Sequence, residues 1–265
     1  MEGEEQKVRL GGMALSNGVL VHGPTAWACA VRLPNGELKV AAERKRIRAS
    51  EVNQPLLRGP ARFAEMLTLL PRVKRRLPEA TLPFERPGII ATMLGGAVAI
   101  RVVRGARMPA LARELVSGLA SLAPAVLALR GPGLAAYHGA EHISIGTYEH
   151  GGRAPKEHER CGSHLVGPLL ATTAVANALA SRFAPGRQAA RAVAGVGALA
   201  ASTEIFAWMV RNPRHPVAQA LAKPGHELQH RIATAEPTAE QLEVAEAALN
   251  ACLDLEHAAL EHGGH

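Results

Sequence analysis

The sequence predicts an α+β protein: a small β-rich N-terminal unit followed by a mainly α-helical, membrane-associated bundle. Three observations carry that prediction. Residues 10–45 are rich in glycine and in short or β-branched apolar side chains, and they contain Asn35-Gly36, the strongest short-range hairpin signal. Beyond Pro87 come four runs, 88–100, 115–129, 165–180 and 193–210, in which Glu204 is the single charged residue. After Pro213 the chain turns polar and closes on an amphipathic segment. These shifts divide it into a β-rich unit at 1–50, a helical apolar region at 51–215 and a polar C-terminal segment at 216–265.

Taking the elements in order, residues 26–33 and 37–43 flank Pro34-Asn35-Gly36 as the two strands of a hairpin. The basic run Arg44-Lys45-Arg46-Ile47-Arg48 reads as a solvated edge or a contact with lipid headgroups. Residues 60–70 have helical periodicity, which Pro71 and then Pro78 are expected to interrupt. The first two apolar runs are shorter than the ~20 residues of an untilted membrane helix, and Pro124 and Pro168 interrupt the second and third. Their flanks carry Arg101, Arg104 and Arg107, then Arg130, then Arg182, Arg187 and Arg191, then Arg211 and Arg214, in the manner of interfacial anchors. Soluble, alanine-rich core helices are the competing reading. Finally, residues 238–260 form an amphipathic helix with Thr238 to Gln241 as cap and first turn and Leu242, Ala245, Leu249 and Leu253 on one face.

Composition narrows the function classes. Of 265 residues 48% are hydrophobic but only 3% aromatic, and the formal charge is +7. The basic residues lie in short clusters without interleaved aromatics, so no nucleic-acid partner is expected and membrane lipid is the better match for the charge. Three separated cysteines, Cys29, Cys161 and Cys252, make no disulfide framework. The acidic start of the chain lacks the pattern of a signal peptide. Localisation in a bacterial cytoplasmic membrane follows, with a soluble cytoplasmic protein as the alternative.

The chemistry concentrates between His138 and His164, where five of the twelve histidines and one cysteine fall. His138 and His142 stand at i and i+4, so a helix projects both imidazoles from one face toward a shared ion. Glu141 lies beside them, placed to take a proton from bound water, in the H-x-x-E-H order of the inverzincins. His158, Cys161 and His164 follow at intervals of three and add nitrogen and sulfur donors that suit zinc.

The words Tyr137-His138-Gly139-Ala140-Glu141-His142 and His158-Glu159-Arg160-Cys161-Gly162 resemble the DUF1385 (YqhQ-like) family of predicted metal-dependent enzymes with membrane segments. Shorter matches run from Gly11-Gly12, Gly18-Val19 and Leu57-Arg58-Gly59 to Glu204, Pro224-Gly225, Leu228-Gln229 and Glu236-Pro237. Asn17, Met13 and His22 depart from the family pattern. The resemblance implies a metal-dependent activity without naming a substrate.

The expected site therefore has His138 and His142 as ligands to a divalent metal, zinc by donor type, and Glu141 as general base. The third ligand is Cys161, His158 or a carboxylate, for which Glu204 is the candidate because an ionisable group in an apolar run needs a partner or a cavity. Tyr137 is either an oxyanion donor or a core residue. Glu149 and His150 are expected on a loop between the two clusters. The predicted function is metal-dependent hydrolysis, with peptide, lipid and small-ester substrates all open. A non-catalytic membrane protein with a structural, metal-sensing or haem-binding His/Cys site is the alternative. Substrate and oligomeric state are not legible in the sequence.

Overall fold

The computed structural model describes residues 7–129, 131–184 and 188–262. Strands β1 (Gly11–Leu15), β2 (Gly18–His22), β3 (Ala26–Arg32) and β4 (Leu38–Arg44) form an antiparallel meander in the order β1-β2-β3-β4. The predicted hairpin joins β3 to β4. Leu33 N–H donates the closing bond to the Glu37 carbonyl at 2.9 Å, and Gly36 takes the positive φ of 85° that the turn requires. Eight α-helices follow among the described residues: α1 (Arg58–Arg76), α2 (Pro87–Gly105), α3 (Ala110–Leu129), α4 (Pro132–His150), α5 (Val166–Phe183), α6 (Gln188–Arg211), α7 (Pro216–Leu228) and α8 (Ala239–His262).

The sheet is buried on both faces, which is why residues 26–31 are apolar without alternation. Ala14, Val19, Val21, Ala28 and Ala30 face α4 and α8, where they meet Tyr137, Ala140, Val244, Ala248 and Cys252. Leu15, Leu20, Trp27, Cys29 and Val31 face α1 and pack on Leu69, Val73 and Leu77. Glu256 of α8 fastens the start of β3, accepting from the Thr25 and Ala26 backbone N–H groups at 2.7 Å each and from the Thr25 hydroxyl at 2.8 Å. The cap of α8 is the expected one. Thr238 Oγ1 accepts from Gln241 N–H at 3.3 Å and Gln241 Oε1 accepts from Thr238 N–H at 2.9 Å, a reciprocal capping box.

Three local expectations are corrected. Helix α1 runs through Pro71 rather than ending there, because docking of Leu69 and Val73 on the sheet outweighs the lost backbone bond. Lys45 is neither solvated nor at lipid: it is buried in an ion pair with Glu65, whose other oxygen accepts from Ala49 N–H at 2.8 Å. Glu149 and His150 close the last turn of α4, and the loop begins at Gly151, which supplies the left-handed residue (φ 75°) that ends the helix.

Four helical segments are long and apolar enough to cross a membrane: Pro87–Gly105, Ala112–Leu129, Gly162–Phe183 and Gln188–Arg211. The apolar runs thus extend into longer helices than their uncharged cores. Pro124 lies inside α3 and Pro168 sits in the first turn of α5, where its missing N–H removes no helical bond. The 19 residues of α2 span about 28 Å, close to a hydrocarbon core of ~30 Å. Only 6% of its window is buried, with Ile90, Met93, Leu94, Val98 and Val102 all facing outward, an arrangement that water penalises and lipid does not. The segments form two hairpins, α2 against α3 and α5 against α6, with α3 also packed on α5.

Candidate metal centre

Helix α4 starts on Pro132 at its first position and is buried from Leu134 through Gly146 apart from His138. Polar side chains at 138, 141 and 142 therefore sit in the protein interior. Such groups are retained only where something satisfies them. His138 Nδ1–H donates to the Ala233 carbonyl at 2.8 Å, and His142 Nδ1–H donates to the Lys156 carbonyl at 2.6 Å. A carbonyl can only accept, so both rings hold the tautomer that leaves Nε2 with a free lone pair. The two rings lie 4.3 Å apart between centroids, tilted by 59°.

Cys161 completes the group. Its chain segment turns back on itself, with Cys161 N–H bonded to the His158 carbonyl and His164 N–H to the Cys161 carbonyl, both at 3.1 Å. The thiol lies 3.5 Å from His138 Nε2, and one ligand atom from each of His138, His142 and Cys161 falls within 4.8 Å of the others. Two donors sharing a tetrahedral zinc stand about 3.5 Å apart for an N and S pair at ordinary bond lengths. The three side chains fit an ion in both donor type and spacing. Burial lowers His142 to about 3, with the His138 ring adding to the effect, and it raises the Cys161 thiol against the pull of the Ser163 N–H.

Glu141 is 6% exposed, and its Oε2 has no hydrogen-bond partner among the described residues. Burial pushes its carboxyl up to about 7, opposed by His138 and reinforced by Cys161. The side chain lies against β1 at Gly12, where an added Cβ would come within 2.5 Å of Glu141 Oε1. Gly12 has to be glycine for this contact. The group borders a cleft of about 450 Å³, with Leu10, Met13, Leu129 and Ile145 on its apolar side and His22, His158 and Arg160 among its polar lining.

The other expected ligands stand apart from this group. His158 lines the cleft, its ring 5.5 Å from that of His142, yet both of its nitrogens are engaged: Nε2 with Glu149 Oε2 at 3.1 Å, and Nδ1 with Arg160 N–H at 3.2 Å. No lone pair remains for a metal. Glu204 is on α6, where the Arg58 guanidinium grips both of its oxygens and Leu56 N–H donates at 3.1 Å. The half-buried carboxylate on the apolar helix thus pairs with a cation, and of the three candidates for third donor Cys161 is the one that lies with His138 and His142. Tyr137 belongs to the core that α4 shares with the sheet.

Two orienting features were invisible in the ligand spacing. Gln229 is fully buried just after α7. Its Oε1 accepts from His158 N–H at 2.9 Å and its Nε2 donates to Ser163 Oγ at 2.7 Å, which clamps the loop carrying Cys161 at both ends. The Ala233 and Lys156 carbonyls fix the imidazoles. A long-range polar contact leaves no periodic signal; the resemblance through Leu228-Gln229 was the only pointer.

The fold and this group define a class: a helical protein with membrane-length segments and a three-donor His/His/Cys cluster at a cleft. Residues 134–255 match the family described as protein of unknown function (DUF1385), a stretch that runs through α4 into α8 and includes every donor of the cluster. No curated protein and no solved structure matches the chain.

Proposed function

We propose that the protein is a membrane-embedded metal-dependent hydrolase in which His138, His142 and Cys161 hold a zinc-type divalent ion and Glu141 is the general base. The observation that carries this reading is the donor count and its surroundings. Among the described residues three protein donors converge where a structural zinc site would close with four, and the side left open borders the cleft beside Glu141, whose Oε2 has no hydrogen-bond partner among them. A divalent ion held there supplies Lewis acidity, bringing the pKa of a water toward neutrality and polarising a carbonyl. Glu141 then accepts a proton at Oε2 and can return it to the leaving group; a dication beside it would also favour its ionised form. The Glu149 pairing of His158 and Arg160 keeps the polar wall of the cleft neutralised and in place.

The site in this reading belongs to a protein of the bacterial cytoplasmic membrane, its four apolar segments in lipid and its sheet, α4 and α8 in water. Replacing Glu141 with Gln tests the base role. Elemental analysis should find zinc at the wild-type ratio, while hydrolysis of p-nitrophenyl acetate falls by a factor on the order of 10²–10⁴. Unchanged turnover removes Glu141 from the chemistry; absence of metal from wild-type protein removes the reading altogether.

A further inference from the structure

The edge of the sheet is the part of the cleft that hydrolysis alone does not account for. Among the described residues β1 is an edge strand, paired with β2 alone. The two-residue turn closes on Leu15 and Gly18, so hydrogen-bonded pairs alternate as Leu15 with Gly18, Met13 with Leu20 and Gly11 with His22. The same alternation holds on the far side of β2, where Arg32 N–H bonds to Asn17 and Gly23 N–H to Ala26. The backbone N–H and C=O groups of Gly12 and Ala14 consequently point away from the sheet. Among the described residues no hydrogen bond from another element reaches them.

Both residues line the cleft, and Ala14 is only 7% exposed. Buried backbone groups are almost always paired, so this edge is a row of donors and acceptors awaiting a partner. An acyl chain offers neither. A polypeptide backbone offers both at the same repeat, and strand addition to a free edge is a recurrent way to hold one. A strand seated on β1 would also be in register with the chemistry, because Gly12 packs directly on Glu141. Its alternating side chains would turn toward α4 on one face, where His138, His142 and Ile145 line the cleft, and toward the Met13 side of the sheet on the other.

We infer that the cleft binds an extended polypeptide as a fifth strand on β1, presenting its backbone carbonyl to the His138, His142 and Cys161 group. The inference takes the hydrolase reading of that group as its starting point and assigns it a peptide as substrate class.

The experiment is a binding scan. A fluorescent octapeptide of alternating valine and threonine, and variants carrying one N-methyl amide at each successive position, are titrated into the zinc-loaded wild-type and Glu141→Gln chains in detergent micelles and followed by anisotropy. Strand addition predicts saturable binding that weakens by about fivefold or more at every second N-methyl position, as each removes one hydrogen bond, with smaller effects between. Affinity indifferent to N-methylation, a loss without period two, no saturable binding, or displacement by lauric acid without periodicity each overturns it. Hydrolysis of p-nitrophenyl acetate by the same wild-type preparation separates the two readings. Periodic binding without ester turnover retains the strand site and removes the hydrolase; ester turnover without periodic binding does the reverse.

Discussion

A histidine can offer a metal only the nitrogen its neighbours leave free, and this distinguishes the three imidazoles that look equivalent in the sequence. His138 and His142 each spend Nδ1 on a backbone carbonyl and keep Nε2, whereas His158 spends both nitrogens on Glu149 and Arg160 N–H. His158→Ala should therefore leave the zinc content of the purified protein unchanged while His138→Ala abolishes it, as elemental analysis would show; equal losses in both would place His158 among the ligands. A fourth histidine gives a prediction in pH. His22 lies beside Lys45 Nζ at 3.1 Å, and burial followed by the Lys45 charge lowers it to about 3 from an ordinary 6.5. Between those values the unfolded chain binds more protons than the folded one, so the contribution of His22 to stability is present above pH 6.5 and is lost as pH falls toward 3. Thermal unfolding of His22→Gln should accordingly show a shallower loss of stability across that window than wild type. Matching slopes would mean that His22 does not titrate differently on folding.

At the scale of elements, α4 is a helix whose site depends on what presses against it. Gly139 meets the 233–235 segment so closely that an added Cβ would stand 2.1 Å from the Ala235 carbonyl oxygen. That segment also supplies the carbonyl that orients His138, and Ala235 N–H bonds to the Ala135 carbonyl at 2.9 Å. Gly139→Ala has to push this backbone away. Outer partners of metal ligands are typically worth 10–100-fold in affinity, so zinc affinity measured by chelator competition should fall by roughly that factor. Retention of wild-type affinity would show that His138 is oriented without Ala233. The loop bearing Cys161 depends in the same way on Gln229, which bridges His158 and Ser163.

For the whole molecule, the core settles the topology. β2 and β3 pack on α8 and α4, so the sheet that precedes the four apolar segments and the helix that follows them are on the same side of any membrane the segments cross. An even number of crossings is consistent with this. Single cysteines introduced at exposed Glu37 and Glu246, in a background lacking reactive native thiols, should be labelled by an impermeant maleimide from one face, and a cysteine at exposed Arg107, between α2 and α3, from the other. Labelling of all three from one face would show that the α2 and α3 hairpin does not cross.

Much of this was legible in the sequence, and the reason is locality. Asn35-Gly36 names its turn, Thr238 and Gln241 name their cap, and the i, i+4 spacing of His138 and His142 places both rings on one face of α4 wherever that helix packs. The apolar runs were legible because a helix long and apolar enough to cross a membrane carries that signal along its whole length. The choice among Cys161, His158 and Glu204 was not legible, since each is a sound donor by type and the outcome rests on partners distant in sequence. Arg58 takes Glu204 across 146 positions, Glu149 and Arg160 take His158, and Gln229 delivers Cys161. The sequence by itself determined the kinds of element and the two histidines that one helix turn holds together. Only the tertiary structure decided that Cys161 is the candidate donor beside them and that, among the described residues, the outer edge of β1 is unpaired, because competition for a charge or lone pair is resolved by whichever partner packing brings within reach.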